Sequence, residues 1–453
     1  MIATIQPDIT QNTHNRIKIN NNISFKGANF SKGTKFLDGF IKSQENLSST
    51  RFIQGTLTNW LPKAVLSRSF VDFSEFTFLE FLESGIFYFA APFFGEHLYR
   101  NGIFKAIQPK KYKSLIPQNL SKSLDNIKKS DFDKKTKNRL ITTKAGVILA
   151  CIAVPALEYA LGFAKNLFTL KVFKISDFNN VANLNKNKKE DEQQQKKVET
   201  HSKQVLLKTG ALIGSGIGAG VLLATNGYKS KTAVKLSEFL LEPGIYISKL
   251  LHKLNIKSDK TDKFLAEYLK LDFEDKGKFA LSKGQLALTC ITGLFGYSAA
   301  AKDRGKLDFY EVWTRVPLVV LYTIFGSSLL DAGFKKILAK KGKFPELIKK
   351  GKDGNIENIP TRKDLPEIAQ KLAKLNNTSK EQELAKLIKQ KAIITGVPYL
   401  FSLVTMGFVL SAVSRIWTKY RYDHQVKNQQ QNISADNNNF VKFSPAFEGF
   451  RIK

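Results

Sequence analysis

Long apolar stretches constrain the fold of this chain more than any other feature. A helix rises about 1.5 Å per residue, so about 20 mostly apolar residues cross the roughly 30 Å hydrocarbon core of a bilayer. Stretches of about this length are AGVILACIAVPALEYALGFA (145–164), VLLKTGALIGSGIGAGVLLAT (205–225), GQLALTCITGLFGYSAAA (284–301), VPLVVLYTIFGSSLL (316–330) and AIITGVPYLFSLVTMGFVLSAV (392–413). A helix of a soluble protein carries a polar face at every turn, and these stretches show almost none. The sequence therefore predicts an all-α, multi-pass transmembrane helical bundle.

The expected number of spans is five or six. A sixth stretch, GIFYFAAPFFG (85–95), is short, and its extension towards the N-terminus brings in Glu80 and Glu83. It is therefore expected as a tilted span, a re-entrant segment or a helix on the membrane surface. The 316–330 stretch reaches full length as 313–334, because the indole of Trp313 prefers the headgroup level.

Composition divides the chain into membrane regions and polar regions. Segments with few apolar residues cannot bury a core and are expected to be disordered. The expected divisions are a disordered tail (1–50), a first membrane region (51–178), a flexible charged linker (179–204), a central membrane region (205–334), a basic loop with amphipathic helices (335–391), the last span (392–419) and a disordered tail (420–453).

The last span is predicted to continue a helix that begins outside the membrane. Thr378 and Glu381 have the spacing of a capping box, and no helix breaker separates them from the 392–413 stretch. We therefore expect one long helix from about Ser379 to about Lys419.

The strong positive charge points to lipid rather than to nucleic acid. The formal net charge is +32, and 60 of the 71 basic residues are lysines. Base recognition relies on arginine, and the sequence contains no recognition-helix or RNA-binding motif, so no specific nucleic acid partner is expected. Lysine-rich segments beside spans are attracted to anionic lipid headgroups by about 1 kcal/mol per charge. The expected partners are the bilayer and these headgroups.

Two features bear on the compartment. The two cysteines, Cys151 and Cys290, lie in apolar stretches and have no metal-ligand spacing. The first residues lack an apolar segment, so no cleaved signal peptide is expected. Insertion would depend on the spans, and the cytoplasmic (inner) membrane of a bacterium is the expected location, with an organelle membrane as the alternative.

A glycine ridge predicts close helix packing in the 205–225 stretch. Small residues spaced by four let two helix backbones approach in a membrane. The ridge consists of Gly210, Gly214 and Gly218, with Gly216 and Gly220 as a second pair. The partner helix belongs to this chain, to a second copy or to another membrane protein. A phosphate-binding loop is the alternative, but no strand precedes these glycines.

Glu158 is the charge that most needs an explanation. It lies inside the 145–164 stretch, where a charge is costly and is usually retained for a function. Pro155 frees a backbone carbonyl one turn earlier, so the two residues are candidates for a polar transport site. The alternative is that Glu158 lies near the interface beside Lys165.

An internal repeat is suggested by two segments that share Asp-Phe-x-Glu. VDFSE precedes a Phe-Gly pair in 71–107, and LDFYE precedes another in 307–338. The spacing before the Phe-Gly pair differs by five residues, so the sequence leaves a duplication open.

The sequence contains no recognisable catalytic motif and no metal or cofactor site. The favoured function is a non-enzymatic structural, assembly or scaffold component of a membrane. A small-solute or ion transporter with its site near Glu158 is the first alternative. A peripheral protein whose cationic helices adsorb to lipid is the second.

Overall fold

The computed structural model of the chain is helical throughout the part that it describes. It describes residues 30–45, 49–90, 93–94, 119–120, 122–185, 189–256, 258–272, 282–349, 351, 356 and 359–443, with the backbone alone for 49–55 and 428–443. The α-helices are α1 (Lys32–Glu45), α2 (Ser49–Val65), α3 (Phe70–Gly85), α4 (Leu124–Lys129), α5 (Lys134–Ala150), α6 (Ala153–Phe173), α7 (Phe178–Val181), α8 (Glu192–Asn226), α9 (Lys231–Leu241), α10 (Pro243–Lys253), α11 (Asp259–Tyr268), α12 (Lys283–Arg304), α13 (Lys306–Leu321), α14 (Ser327–Lys340), α15 (Leu365–Asn376), α16 (Lys380–Ser402) and α17 (Leu410–Phe443). The π-helical segments Ile86–Ala90, Tyr322–Gly326 and Leu403–Val409 directly follow α3, α13 and α16, and the 3₁₀ turn Gly227–Lys229 follows α8.

Four helical segments among the described residues are long and apolar enough to cross a membrane. These segments are Lys134–Phe173, Glu192–Lys229, Lys306–Lys340 and Lys380–Lys427. They contain four of the predicted stretches. The stretch 284–301 forms the shorter helix α12, and the described part of 85–95 continues α3.

The 145–164 stretch is two helices rather than one. α5 ends at Ala150, and α6 begins at Ala153 with Pro155 in its first turn. Proline has no amide hydrogen to donate to the carbonyl of Cys151, so an uninterrupted α-helix loses a hydrogen bond here. The Cys151 carbonyl accepts a hydrogen bond from the Val154 amide at 3.0 Å instead.

The predicted helix that begins near Ser379 is confirmed, and it is longer than expected. The Ser379 side chain caps α16 by accepting a hydrogen bond from the Gln382 amide at 3.2 Å. The cap lies one residue after the predicted Thr378. Helical backbone continues through the π-helical segment into α17 and ends at Phe443, inside the region 420–453 that the sequence predicts as a disordered tail.

Two further regions expected to lack structure are partly helical. α1 occupies much of the expected tail 1–50, and Arg362 holds it through two hydrogen bonds to Asp38, each 2.6 Å long. The expected linker 179–204 is helical from Glu192, where α8 begins. The signal missed in this linker was Asp191, which caps α8 through the Gln193 amide at 2.9 Å.

α6 is the central helix of the bundle, and it packs against α3, α8 and α12. Small residues allow the close contact between α6 and α12. A Cβ atom on Gly296 would lie 2.1 Å from the carbonyl oxygen of Tyr159, and one on Gly162 would lie 3.0 Å from the Cβ of Ala300. α12 packs against α13, and α13 packs against α17. The region described next lies between α3, α6, α12 and α13.

Candidate functional site

Charged side chains fill much of the space between these helices. We call this group the ionic cluster, and within it carboxylates outnumber cations by one. Its members are Asp72, Glu75, Glu80, Glu83, Glu158, Asp308, Glu311, Lys63, Arg68, Lys165, Arg304, Arg315 and Arg415. Ten are buried, and Arg68, Lys165 and Arg315 are partly buried.

Two helices of the cluster start with the same sequence pattern. Arg-x-x-x-Asp-Phe-x-Glu begins at Arg68 and again at Arg304. The aspartate is the third residue of a 16-residue α-helix in both copies, and a five-residue π-helical segment follows each helix. The two segments therefore correspond without a gap. The Phe-Gly alignment, which needed a five-residue gap, rests partly on 95–107, and these residues lie outside the described part of the chain.

The two copies exchange ion pairs. The guanidinium of Arg68 donates to both carboxylate oxygens of Glu311, at 2.8 and 3.1 Å. The guanidinium of Arg304 donates to Glu75 at 2.8 Å. Each arginine also pairs with the aspartate four residues later in its own copy, Arg68 at 3.2 Å and Arg304 at 3.4 Å. Each copy thus supplies an arginine to the glutamate of the other.

One aromatic ring lies against both arginines. The centroid of the Phe178 ring is 5.3 Å from the guanidinium carbon of Arg68 and 5.7 Å from that of Arg304. Both distances lie within the range of a cation–π interaction. Phe178 is 4% exposed and begins α7, in the connection between α6 and α8.

Glu190 holds the connection that carries Phe178. Its carboxylate accepts hydrogen bonds from the Ser176 amide at 2.9 Å, the Asp177 amide at 3.2 Å and the Asn180 side chain at 2.6 Å. Partial burial alone would raise the pKa of Glu190, but these hydrogen bonds outweigh it and lower the pKa below its ordinary value.

Further along α3, Glu80 and Glu83 differ in whether they form an ion pair with a described residue. Glu80 forms an ion pair with Lys63. Glu83 interacts electrostatically with Lys63 and Arg315, but it forms no ion pair with a described residue. Glu158 accepts a hydrogen bond from the Tyr297 hydroxyl at 3.2 Å, and its second oxygen has no hydrogen-bond partner among the described residues.

Glu158 lies against α12, where glycine makes room for it. A Cβ atom on Gly293 would lie 2.9 Å from the Glu158 Cγ and 3.0 Å from its Oε1. Glu158 also interacts electrostatically with Glu83. Two carboxyl groups that lack a paired cation among the described residues therefore influence each other across the α3–α6–α12 contact.

A cavity of about 70 Å³ adjoins Glu83 and Tyr297, and Tyr297 is the hydrogen-bond partner of Glu158. One water molecule needs about 10–15 Å³ of such volume, so the cavity has room for several. Eight members of the ionic cluster line it, together with Tyr297 and Cys290 of α12. Apolar side chains, among them Val316 and Val319 of α13, also line it. The lining therefore combines charged and apolar side chains.

The predicted transport residues have different surroundings. Glu158 is 0% exposed and joins the ionic cluster, whereas Lys165, its expected neighbour at the interface, pairs with Glu75 at 2.9 Å. Pro155 marks the break between α5 and α6, and the carbonyl it frees is already bonded to Val154.

The predicted glycine ridge separates into two faces. A Cβ atom on Gly216 would lie 2.7 Å from the Leu149 carbonyl oxygen, at the break between α5 and α6, and Gly220 is buried. The other face carries Gly210, Gly214 and Gly218, where an added Cβ would meet nothing within 4 Å. Only the first face packs against a helix in the described part of this chain.

No group of three or more His, Cys, Asp or Glu side chains among the described residues is arranged to hold a metal ion. No protein-family model, curated protein or solved structure matches the chain. The function of the ionic cluster must therefore be inferred from its own chemistry.

The sequence contained one unused signal for the cluster. Arg68 and Arg304 stand four residues before the aspartate of each Asp-Phe-x-Glu. Each arginine stands two residues before the helix that carries the aspartate, and it pairs with that aspartate. Its recurrence in both copies was the sequence sign of the exchanged ion pairs.

Proposed function

We propose that this chain is an integral membrane protein that carries protons or small monovalent cations through the cavity, with Glu83 and Glu158 as the carboxyls that bind them. One observation carries the proposal: both carboxyls are buried, 4% and 0% exposed, and neither is paired with a cation among the described residues. Burying an unpaired charge costs several kcal/mol, so a protein retains such groups where they serve a function.

The charge balance favours a single positive ligand. The seven carboxylates and six cations of the ionic cluster leave one negative charge in excess when all are ionised. One proton or one monovalent cation neutralises that charge. The Glu83 carboxylate and Tyr297 line the cavity, and Glu158 lies behind Tyr297 as its hydrogen-bond acceptor. These groups and water in the cavity would supply hard oxygen ligands for such an ion.

Membrane insertion is part of the proposal. Beside the four candidate spans, α12 and α3 pack in the same bundle, so we propose six crossings. The lysine-rich loops would lie at anionic headgroups, and a bacterial cytoplasmic membrane is the proposed location. Resistance of the membrane-bound chain to extraction by high salt and carbonate tests this, because a peripheral protein would be released.

Flux measurements in proteoliposomes test the transport function. The purified chain is reconstituted with an internal pH-sensitive dye, and proton and Na⁺, K⁺ or Li⁺ gradients are imposed separately. We expect flux above that of protein-free vesicles, and its loss in Glu158→Gln and in Glu83→Gln. The control is Glu199→Gln, a surface carboxylate on α8 that pairs with Lys171.

Two results would overturn the transport proposal. One is wild-type flux of every tested ion at the level of protein-free vesicles. The other is unchanged flux in both glutamine variants. Glu158→Asp, which keeps the charge, should retain part of the flux and so separates loss of function from loss of folding.

A structural or assembly role is the second candidate, and the open glycine face favours it. Only 17% of the most apolar part of Glu192–Lys229 is buried, and Gly210, Gly214 and Gly218 have nothing packed on them among the described residues. In membranes, such a face suits a partner helix. Gly214→Leu with Gly218→Leu should abolish helix cross-linking if this role is correct, and should leave ion flux unchanged if transport is the function.

A further inference from the structure

We infer that Phe178, together with the two exchanged ion pairs it covers, is the gate that closes the cavity on the side of the 174–185 segment. The inference rests on the proposed function, because it concerns access to the same cavity. Phe178 is the only member of that segment on the cavity wall, and the wall beside it includes Glu75 and Glu311, the acceptors of the exchanged pairs.

The position of Phe178 couples the gate to both copies of the Arg-x-x-x-Asp-Phe-x-Glu pattern. Its ring lies against one arginine from each copy of the motif. Movement of α3 relative to α13 would separate Arg68 from Glu311 and Arg304 from Glu75, and it would also remove the surface on which the ring rests. A single ring thus responds to the relative position of the two helices.

The segment that carries Phe178 is held mainly by hydrogen bonds near the protein surface. Besides the contacts of Glu190, the Ser69 hydroxyl donates to the Val181 carbonyl at 2.6 Å, and the Tyr422 hydroxyl donates to Asn185 at 2.5 Å. Its apolar anchoring consists of a small group, Phe178, Ala182 and Leu307 with Leu184 and Tyr422. Segments held in this way open at a lower free-energy cost than the core, which is what a gate requires.

The two cysteines of the chain allow a direct test. Cys290 lines the cavity, whereas Cys151 is buried in an apolar cluster formed by α4, α5, α8 and α9. With Cys151→Ser, the Cys290 thiol becomes the single reporter of access to the cavity. The full chain in lipid nanodiscs is treated with a small charged methanethiosulfonate, and the rate of labelling is measured by mass.

We expect slow labelling of Cys290 in the parent, because a thiol without water access does not react, and acceleration by about an order of magnitude or more in Phe178→Ala. Phe173→Ala is the matched control. This ring lies just before the segment and contacts Phe70 and Phe168 without lining the cavity. It should leave the Cys290 rate unchanged.

General loosening is monitored with the second cysteine. In a Cys290→Ser background, Cys151 should label equally slowly with and without Phe178→Ala. A gate at Phe178 is refuted if Phe178→Ala does not accelerate Cys290, or if it accelerates Cys151 to the same extent. Because labelling requires no transport, absence of ion flux would overturn the proposed function and leave this result intact.

Discussion

α3 and α13 begin alike and end differently. Each carries an aspartate, a phenylalanine and a glutamate in its first turns and is preceded by an arginine two residues before its start, and the ion pairs exchanged between the two copies are reciprocal. Beyond these turns the sequences diverge: Val316 and Val319 of α13 occupy the positions of Glu80 and Glu83 in α3. The repeated half joins the two helices, whereas the divergent half places Glu83 of α3 but Val316 and Val319 of α13 on the cavity lining.

The divergence indicates which charges stabilise the fold and which do not. Each charge in the shared half has a partner in the same motif or in its other copy. In the divergent half, Glu83 has no ion pair with a described residue, and its counterpart is a valine that fills the same kind of position without any charge. A carboxyl at this position is therefore not required by the architecture.

The largest expected effect is loss of an arginine from the shared half. Arg304→Met removes a cation that pairs with both Glu75 and Asp308, and removing one member of a buried ion pair costs about 3–5 kcal/mol. Arg68→Met should act in the same way but less strongly, because the Arg68 side chain is 15% exposed against 1% for Arg304. The free energy of unfolding in detergent measures both effects.

An exposed pair provides the control for the arginine variants. Lys371→Met removes the surface pair with Glu367 and should change stability by less than about 1 kcal/mol. If the two motifs are coupled, Arg68→Met and Glu311→Met combined should cost less than the sum of the single changes. Strict additivity would contradict the exchanged pairs.

Replacing Glu80 or Glu83 of α3 by the valine found at the matching position of α13 should change the free energy of unfolding differently. Glu80→Val leaves the buried Lys63 amine unpaired and should lower the free energy of unfolding by about 3–5 kcal/mol. Glu83→Val removes a buried carboxyl that has no paired cation and should leave stability unchanged or raise it by about 1–3 kcal/mol. Equal destabilisation by both would mean that α3 requires Glu83 for folding, and the comparison with α13 would fail.

The sequence predicts the helices of this protein better than it predicts which side chains lie next to one another. Length and apolar continuity are local properties, and they identified four segments long enough to span. Glu158 was recognisable because a charge inside an apolar stretch is conspicuous on its own. Glu80 and Glu83 counted against a span in the sequence and instead belong to the ionic cluster, because their surroundings depend on Lys63 and on α12, which local patterns do not reveal.

The repeat and the glycine ridge also show that local sequence patterns do not reveal tertiary contacts. Aligning Phe-Gly pairs required a gap, whereas aligning the aspartates requires none and brings Arg68 onto Arg304. The ridge 210–220 met the small-residue rule in full, yet only the Gly216–Gly220 face packs in the described part of the chain, while Gly296 of α12 makes a closer contact than Gly216 does. Spacing predicts that a face can pack closely, and tertiary structure decides whether it does.

The smallest expected effect concerns Glu190, which supports the segment whose Phe178 ring lies against Arg68 and Arg304. Its pKa is lowered in the folded state, so its stabilisation is present above the ordinary glutamate pKa of about 4.3 and is lost as pH falls through the lower folded-state value. Glu190→Gln should therefore destabilise the fold at neutral pH, by less than about 1 kcal/mol because the group is partly exposed. The unfolding temperature measures this effect. The difference from wild type should shrink towards zero as the pH falls below the ordinary glutamate pKa and through the lower folded-state value. Glu367→Gln, at an exposed carboxylate, should show no such trend. If the deficit of Glu190→Gln stayed constant with pH, its hydrogen bonds to Ser176, Asp177 and Asn180 would not depend on its charge, and the segment carrying Phe178 would be held by packing rather than by this carboxylate.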